Sequence, residues 1–87
     1  MASQSLISAL KEAGVFVTTA ESLTGGKLAA RLTDLPGSSE VFLGGIVAYQ
    51  NQVKQELLGV SPSLMGQQGA VDAEVAAQMA VGVRLRF

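Results

Sequence analysis

Three clusters of residues in this 87-residue chain carry groups able to do chemistry. The first is Ser22, Thr24, Gly25 and Gly26, placed where a β-branched run hands over to a helical one. Glycines at such a junction let backbone N–H groups approach a ligand, and a helix start favours an anion. The competing reading is an ordinary tight turn with Thr24 as the helix N-cap. The pattern fits neither the P-loop nor the dinucleotide fingerprint, because Lys27 follows directly on Gly26 and no third spaced glycine occurs. The second cluster is Pro36-Gly37-Ser38-Ser39, read either as a turn whose hydroxyls bond their own backbone or as a loop presenting a nucleophilic serine. The third is the pair Tyr49 and Lys54.

A serine nucleophile needs a base, and the sequence contains neither histidine nor cysteine. That excludes His-dependent triads, thiol catalysis, disulfides and zinc-finger patterns together. A lysine or a carboxylate is left to act as base. If Asn51 caps the helix after Tyr49, Lys54 falls at the third position of that helix. The macrodipole disfavours a cation there by about 0.3–1 kcal/mol when exposed. This is less than the roughly 1.4 kcal/mol of one pKa unit, so burial would have to supply the rest. The plainer alternatives are a solvated lysine and a half-buried tyrosine.

The elements that must position these groups follow from periodicity. Ser3–Ala13 carries Leu6, Ile7 and Leu10 on one face and stops at Gly14. Val15–Thr19 reads as a short strand buried on both faces. Lys27–Thr33 resumes a helix, 34–39 is a loop, and Gly44–Tyr49 reads as a second strand. Asn51 opens a helix through Leu58 that Gly59 closes, and Ser61-Pro62 opens a shorter turn. Asp72 caps a last helix with Val75, Met79 and Val83 in an apolar stripe beside Ala76 and Ala80. About four helices alternate with two strands, which argues for an α/β layered fold in one domain over residues 1–87. A two-stranded sheet cannot cover its own edges, so the fold reads as incomplete.

Composition narrows the function. With 48% apolar and 15% charged residues the chain must bury a core. Its net charge of −1 and scattered basic residues argue against nucleic-acid binding. No basic leader followed by an apolar run and no membrane-length apolar stretch is visible, and the lack of cysteine fits a reducing cytoplasm.

Taken together, the residues resemble the family of CinA C-terminal-type domains. The run Thr19-Ala20-Glu21-Ser22-Leu23-Thr24-Gly25-Gly26 is similar to that family's Ala-Glu-Ser-x-Thr-Gly-Gly signature. The resemblance continues through Pro36-Gly37-Ser38-Ser39, Phe42, Gly45, Val47, Tyr49, Lys54, Leu57–Val60, Gly69-Ala70-Val71 and Val75-Ala76. It implies a layered α/β/α fold and hydrolysis of the carboxamide of nicotinamide mononucleotide to nicotinic acid mononucleotide and ammonia, without metal or cofactor. It implies Ser39 as nucleophile, Lys54 as base, Tyr49 as proton relay, and Ser22 as a support for the amine or the oxyanion. Backbone N–H groups near Ser39 or Gly45 would hold the oxyanion, and Thr24, Gly25 and Gly26 would hold substrate. Asp72 departs from the pattern, standing where the family usually has serine. The family fold also continues past Gly82, whereas this sequence runs only to Phe87, so the expected domain is truncated. The partner expected is a small nucleotide substrate, with no membrane or nucleic acid, and copies are expected to associate through sheet edges or the last helix. The alternative expectation is a non-catalytic interaction module or nucleotide binder.

Overall fold

The computed structural model describes residues 2–87, with side chains from Leu6 onward. Its elements are α1 (Ala2–Ala13), β1 (Val17–Glu21), α2 (Lys27–Thr33), a 3-10 turn (Ser38–Glu40), β2 (Phe42–Val47), α3 (Asn51–Leu58), α4 (Pro62–Gln68) and α5 (Ala73–Arg86). The layered α/β reading holds, with five α-helices where about four were expected.

Both strands are displaced from their expected positions. Val15 and Phe16 are exposed and lie before β1, and the strand runs on into Ala20 and Glu21. β2 begins at Phe42 and ends at Val47, two residues earlier than the apolar run suggested. The two strands pair in parallel, with Val17 opposite Phe42 and Glu21 opposite Val47. A parallel pair needs a crossover, which α2 and the 3-10 turn provide.

Side chains alternate across this ribbon. Ala20 and Ile46 pack onto a core built from Ala48, Leu58, Val60, Met65, Val75, Met79 and Val83. Thr19, Glu21 and Val47 turn the other way, where Val47 meets the start of α2. The sheet therefore lies between α2 on one face and α3 with α5 on the other. Of the expected stripe on α5, Val75, Met79 and Val83 are buried while Ala76 and Ala80 are exposed.

Caps set the helix limits. Ser61 Oγ accepts from Leu64 N–H at 3.3 Å, and Asp72 Oδ2 accepts from Glu74 N–H at 2.9 Å. Asn51 is the first residue of α3, not its cap; Gln50 takes the cap position without a side-chain bond. At the other end of α3, Arg86 Nε donates to Leu57 O at 3.0 Å. There α5 crosses so closely that a β-carbon on Gly82 would overlap the Leu58 carbonyl group. Among the described residues no helix is long and apolar enough to cross a membrane.

The crossing yields a prediction. Gly82→Ala forces backbone against backbone, so it should destabilise the chain by about 1–3 kcal/mol, the range for overpacked sites. Gly66→Ala, which meets open space, should not. Urea unfolding midpoints compare the two.

Candidate functional site

The residue that organises the site is Glu21, which sequence reasoning placed in a motif but gave no role. It is 6% exposed at the end of β1. One carboxylate oxygen accepts from Leu28 N–H at 2.6 Å and from the Thr24 hydroxyl at 3.1 Å. The other accepts from Ala29 N–H at 3.1 Å. Gly26, in the cap position of α2, has no side chain to offer, so the preceding strand supplies the cap. Burial raises the Glu21 pKa, but the hydrogen bonds from Leu28, Ala29 and Thr24 outweigh it, and the net shift is downward. The signal available in the sequence was a charged residue inside an apolar run, seven residues before an amide at the helix start.

This arrangement narrows the reading of Thr24, Gly25 and Gly26 as an anion cradle or a substrate clamp. The amides of Leu28 and Ala29 are already taken by the protein's own carboxylate. Thr24 is not the backbone cap either, since its hydroxyl donates to Glu21. What the clamp does is hold the tight turn closed by the Gly25 N–H to Ser22 O bond of 3.1 Å. Ser22 leads that turn, half-buried, directly after the strand.

The parallel register decides which candidates meet. Ala48 N–H donates to Glu21 O at 2.8 Å, so Ser22 follows β1 at the end of the sheet where Tyr49 follows β2. Lys54 is 2% exposed, and its Nζ folds back to donate to Tyr49 O at 3.3 Å. With Asn51 as first helical residue, Lys54 is the fourth residue of α3 and not the third. Tyr49 is 73% exposed, so its side chain is open to a ligand or a partner and not half-buried.

Ser39 lies at the other end of the sheet. It precedes β2, whose six residues separate it from Tyr49 by roughly 20 Å at about 3.3 Å per residue. Its turn packs instead beside α1, where Lys11 pairs with Glu40 and Ile7 approaches Gly37. Ser38 is buried in that turn and Ser39 is exposed. Within one copy of the chain Ser39 does not reach Lys54. Gly45 is likewise remote from Ser22. It lies mid-strand opposite Thr19, and a β-carbon there would overlap the Thr19 side chain, which is a packing reason for glycine. Thr19 Oγ1 is buried without a hydrogen-bond partner among the described residues.

Beside Ser22 a cavity of about 500 Å³ opens between the β1 turn and the start of α5. Its walls are largely apolar, with Leu23, Leu28, Val71 and Met79 around Ser22 and Asp72. Tyr49 and Lys54 follow the neighbouring strand and stand outside this lining. Among the described residues no three His, Cys, Asp or Glu side chains converge as a metal site would require.

The chain matches the family model described as CinA C-terminal domain over residues 1–87. It is 59% identical over 75 residues to a CinA-like protein of Mycobacterium avium (strain 104), covering 86% of this chain and 17% of that one. A CinA-like protein of Solibacter usitatus is 53% identical over 77 residues, covering 88% and 18%. Among solved structures, a competence-damaged protein (CinA) superfamily protein from Escherichia coli superposes with a TM-score of 0.91 at 36% identity, covering 97% of this chain and 49% of that one. A competence/damage inducible protein from Agrobacterium tumefaciens gives 0.90 at 40% identity, covering 97% and 51%. The chain thus spans about half of these solved chains and under a fifth of the curated relatives.

The Glu21 clamp generates a stability prediction. Glu21→Ala leaves the Leu28 and Ala29 amides without their charged acceptor and should cost about 1.5–3 kcal/mol. The pH dependence has a definite sign. Because the folded pKa is depressed, the unfolded chain binds the proton more tightly, and the contribution is complete above the ordinary carboxylate range. It should fade as pH falls through that range toward the lowered folded value. Urea titrations between neutral and acidic pH should show this component in the wild type and not in Glu21→Ala.

Proposed function

We propose, on the premise that this chain belongs to the CinA C-terminal domain family, that it carries the nucleophile and base of an amidohydrolase acting on nicotinamide mononucleotide. The observation that carries the reading is the common position of Ser22, Tyr49 and Lys54 at the carboxyl end of the parallel strand pair. Ser22 therefore replaces Ser39 as the nucleophile of the proposal.

In this mechanism Ser22 Oγ bonds the carboxamide carbon while its proton passes to Lys54 Nζ. The tetrahedral intermediate collapses by breaking the carbon–nitrogen bond, and the proton held by Lys54 goes to the departing nitrogen, which leaves as ammonia. Water then hydrolyses the acyl-serine, regenerating Ser22 and giving nicotinic acid mononucleotide. Tyr49, with its side chain exposed at the same end, assists the proton transfer to the leaving group. No step calls on a metal or cofactor. Substrate of this kind is a soluble nucleotide, consistent with action in the cytoplasm.

A second reading is favoured by a different observation. Leu23, Val71 and Leu85 are each more than two-thirds exposed, as at a surface that meets another chain. On that reading the protein is an interaction module or nucleotide binder without turnover, and copies associate. Either reading is compatible with a homo-oligomer.

Ammonia release from nicotinamide mononucleotide by the purified protein separates the two. On the amidase reading, Ser22→Ala and Lys54→Met each reduce the rate by at least about 100-fold, the lower bound for loss of a general base. Ser39→Ala retains a rate within a few-fold of wild type. No release by the wild type, or equal loss in Ser39→Ala and Ser22→Ala, would sink the assignment.

A further inference from the structure

The last helix is apolar on two opposite sides. Val75, Met79 and Val83 of α5 are buried against the core, while Ala77, Val81 and Leu85 across the helix are exposed, Leu85 by 79%. The exposed three recur at every fourth residue and so form one row along the helix. A helix that is apolar all round is ordinarily covered all round. Beside the row, a groove of about 340 Å³ runs between α5 and the turn that ends α3, lined by Leu58, Gly59, Val81, Gly82 and Leu85.

The charges that flank this row stand at its two ends. Glu74 is in the first turn of α5 and Arg84 in the last, and both are exposed. At about 1.5 Å per residue they are roughly 15 Å apart along the axis, too far to pair within one copy. Neither side chain makes an ion pair or a hydrogen bond among the described residues. A second copy running antiparallel, about a two-fold axis level with Met79, brings its Arg84 level with Glu74. The same register sets Ala77 level with Val81, and the bulky Leu85 level with the small Ala73. One register thus serves the charges and the apolar row together. A parallel copy would instead set Glu74 against Glu74 and Arg84 against Arg84. The edge of β2 is less suited, because its ladder skips Leu43 between Phe42 and Gly44, and such a bulge twists an edge away from a flat partner.

We infer that the Ala77, Val81 and Leu85 face of α5 docks a second copy of this chain, antiparallel about a two-fold axis, with Glu74–Arg84 pairs at both ends. The inference deepens the reading in which copies associate, and it is independent of turnover, since Ser22, Tyr49 and Lys54 lie outside this groove. Because the surface is self-complementary, the contact closes at two copies and does not propagate.

Sedimentation equilibrium over a range of concentrations tests this on the intact chain. The wild type should be a dimer that dissociates on dilution. Glu74→Arg or Arg84→Glu alone sets like charges against each other at both ends, and each should raise the dimer dissociation constant at least about tenfold. Combining the two restores opposite charges and should return the constant to within about threefold of wild type. The combined variant carries both unfavourable changes at the helix dipole, so its recovery would not come from a steadier helix. Val81→Asp, at an exposed position, should leave only monomer, with an unchanged circular dichroism spectrum. A dimer untouched by Val81→Asp, or a combined variant as weak as the single ones, overturns the inference. So does a wild type that stays monomeric at every concentration, which would leave this face for a different chain to cover. If the dimer forms in this way while no ammonia is released from nicotinamide mononucleotide, the amidase reading fails and the docking surface stands.

Discussion

A single buried carboxylate, that of Glu21, sets the geometry on which the rest of this chain depends. An isolated carboxylate is costly to remove from water, and the cost is met only where several donors converge on it. Here three donors do so: two amides of the first turn of α2 and the Thr24 hydroxyl. The bonds run from the end of a strand to the start of the next helix, so they fix the direction in which the chain leaves the sheet. The turn between them is too short to relax independently, and Ser22 has its position set by that closure. A change at Glu21 would therefore alter both the stability of α2 and the placement of Ser22. The same bonds occupy two of the amides that an external anion would need. One interaction thus builds the serine's turn and takes two of the amides on which the phosphate cradle suggested by the glycines would draw.

The second constraint is the parallel pairing. Two parallel strands send their carboxyl ends to the same side, so residues following β1 and β2 become neighbours although 26 positions separate Ser22 from Ala48. Residues preceding β2 are carried to the far side. Ser38 and Ser39 belong to that far side, in the turn whose Glu40 pairs with Lys11 of α1. Linear spacing treats Ser39 as the serine closer to Lys54, 15 residues away, and Ser22 as the more distant. Topology reverses that order. The same pairing accounts for Gly45, whose mid-strand position leaves no room for a β-carbon beside Thr19.

Local signals were readable in the sequence wherever a side chain bonds its own neighbourhood. The limits of α2, the Ser61 cap and the Asp72 cap are all short-range, and the structure reproduces them. Strand limits were less legible, because Val15-Phe16 and Ala48-Tyr49 have strong β character yet lie outside the ladder. Pairing partners, not propensity, decide where a strand starts and stops. Burial of Lys54 was not legible from its position in α3, since it depends on the helix packing back over the end of β2. Glu21 was the most informative omission. Its role appears only when residues from two elements are brought within hydrogen-bond reach, which periodicity does not encode.

The start of α5 shows how small terms combine at the cavity. A helix N-terminus carries the equivalent of about half a positive charge, which alone would draw an anion toward the space beside Ser22. Asp72 places a full negative charge at that same point, so the sum there is about minus one half. Glu21 at the start of α2 gives the same arithmetic, with a whole charge set against a half. Each carboxylate thus sets its charge against a helix start while bonding only some of the amides there, Leu28 and Ala29 in α2 and Glu74 in α5. A serine at position 72 would cap the helix equally well through its hydroxyl and leave the positive half-charge exposed. Aspartate and serine both cap a helix, so the aspartate differs in the full negative charge that it brings to this point. The charge beside Ser22 thus follows from how the two helices are capped.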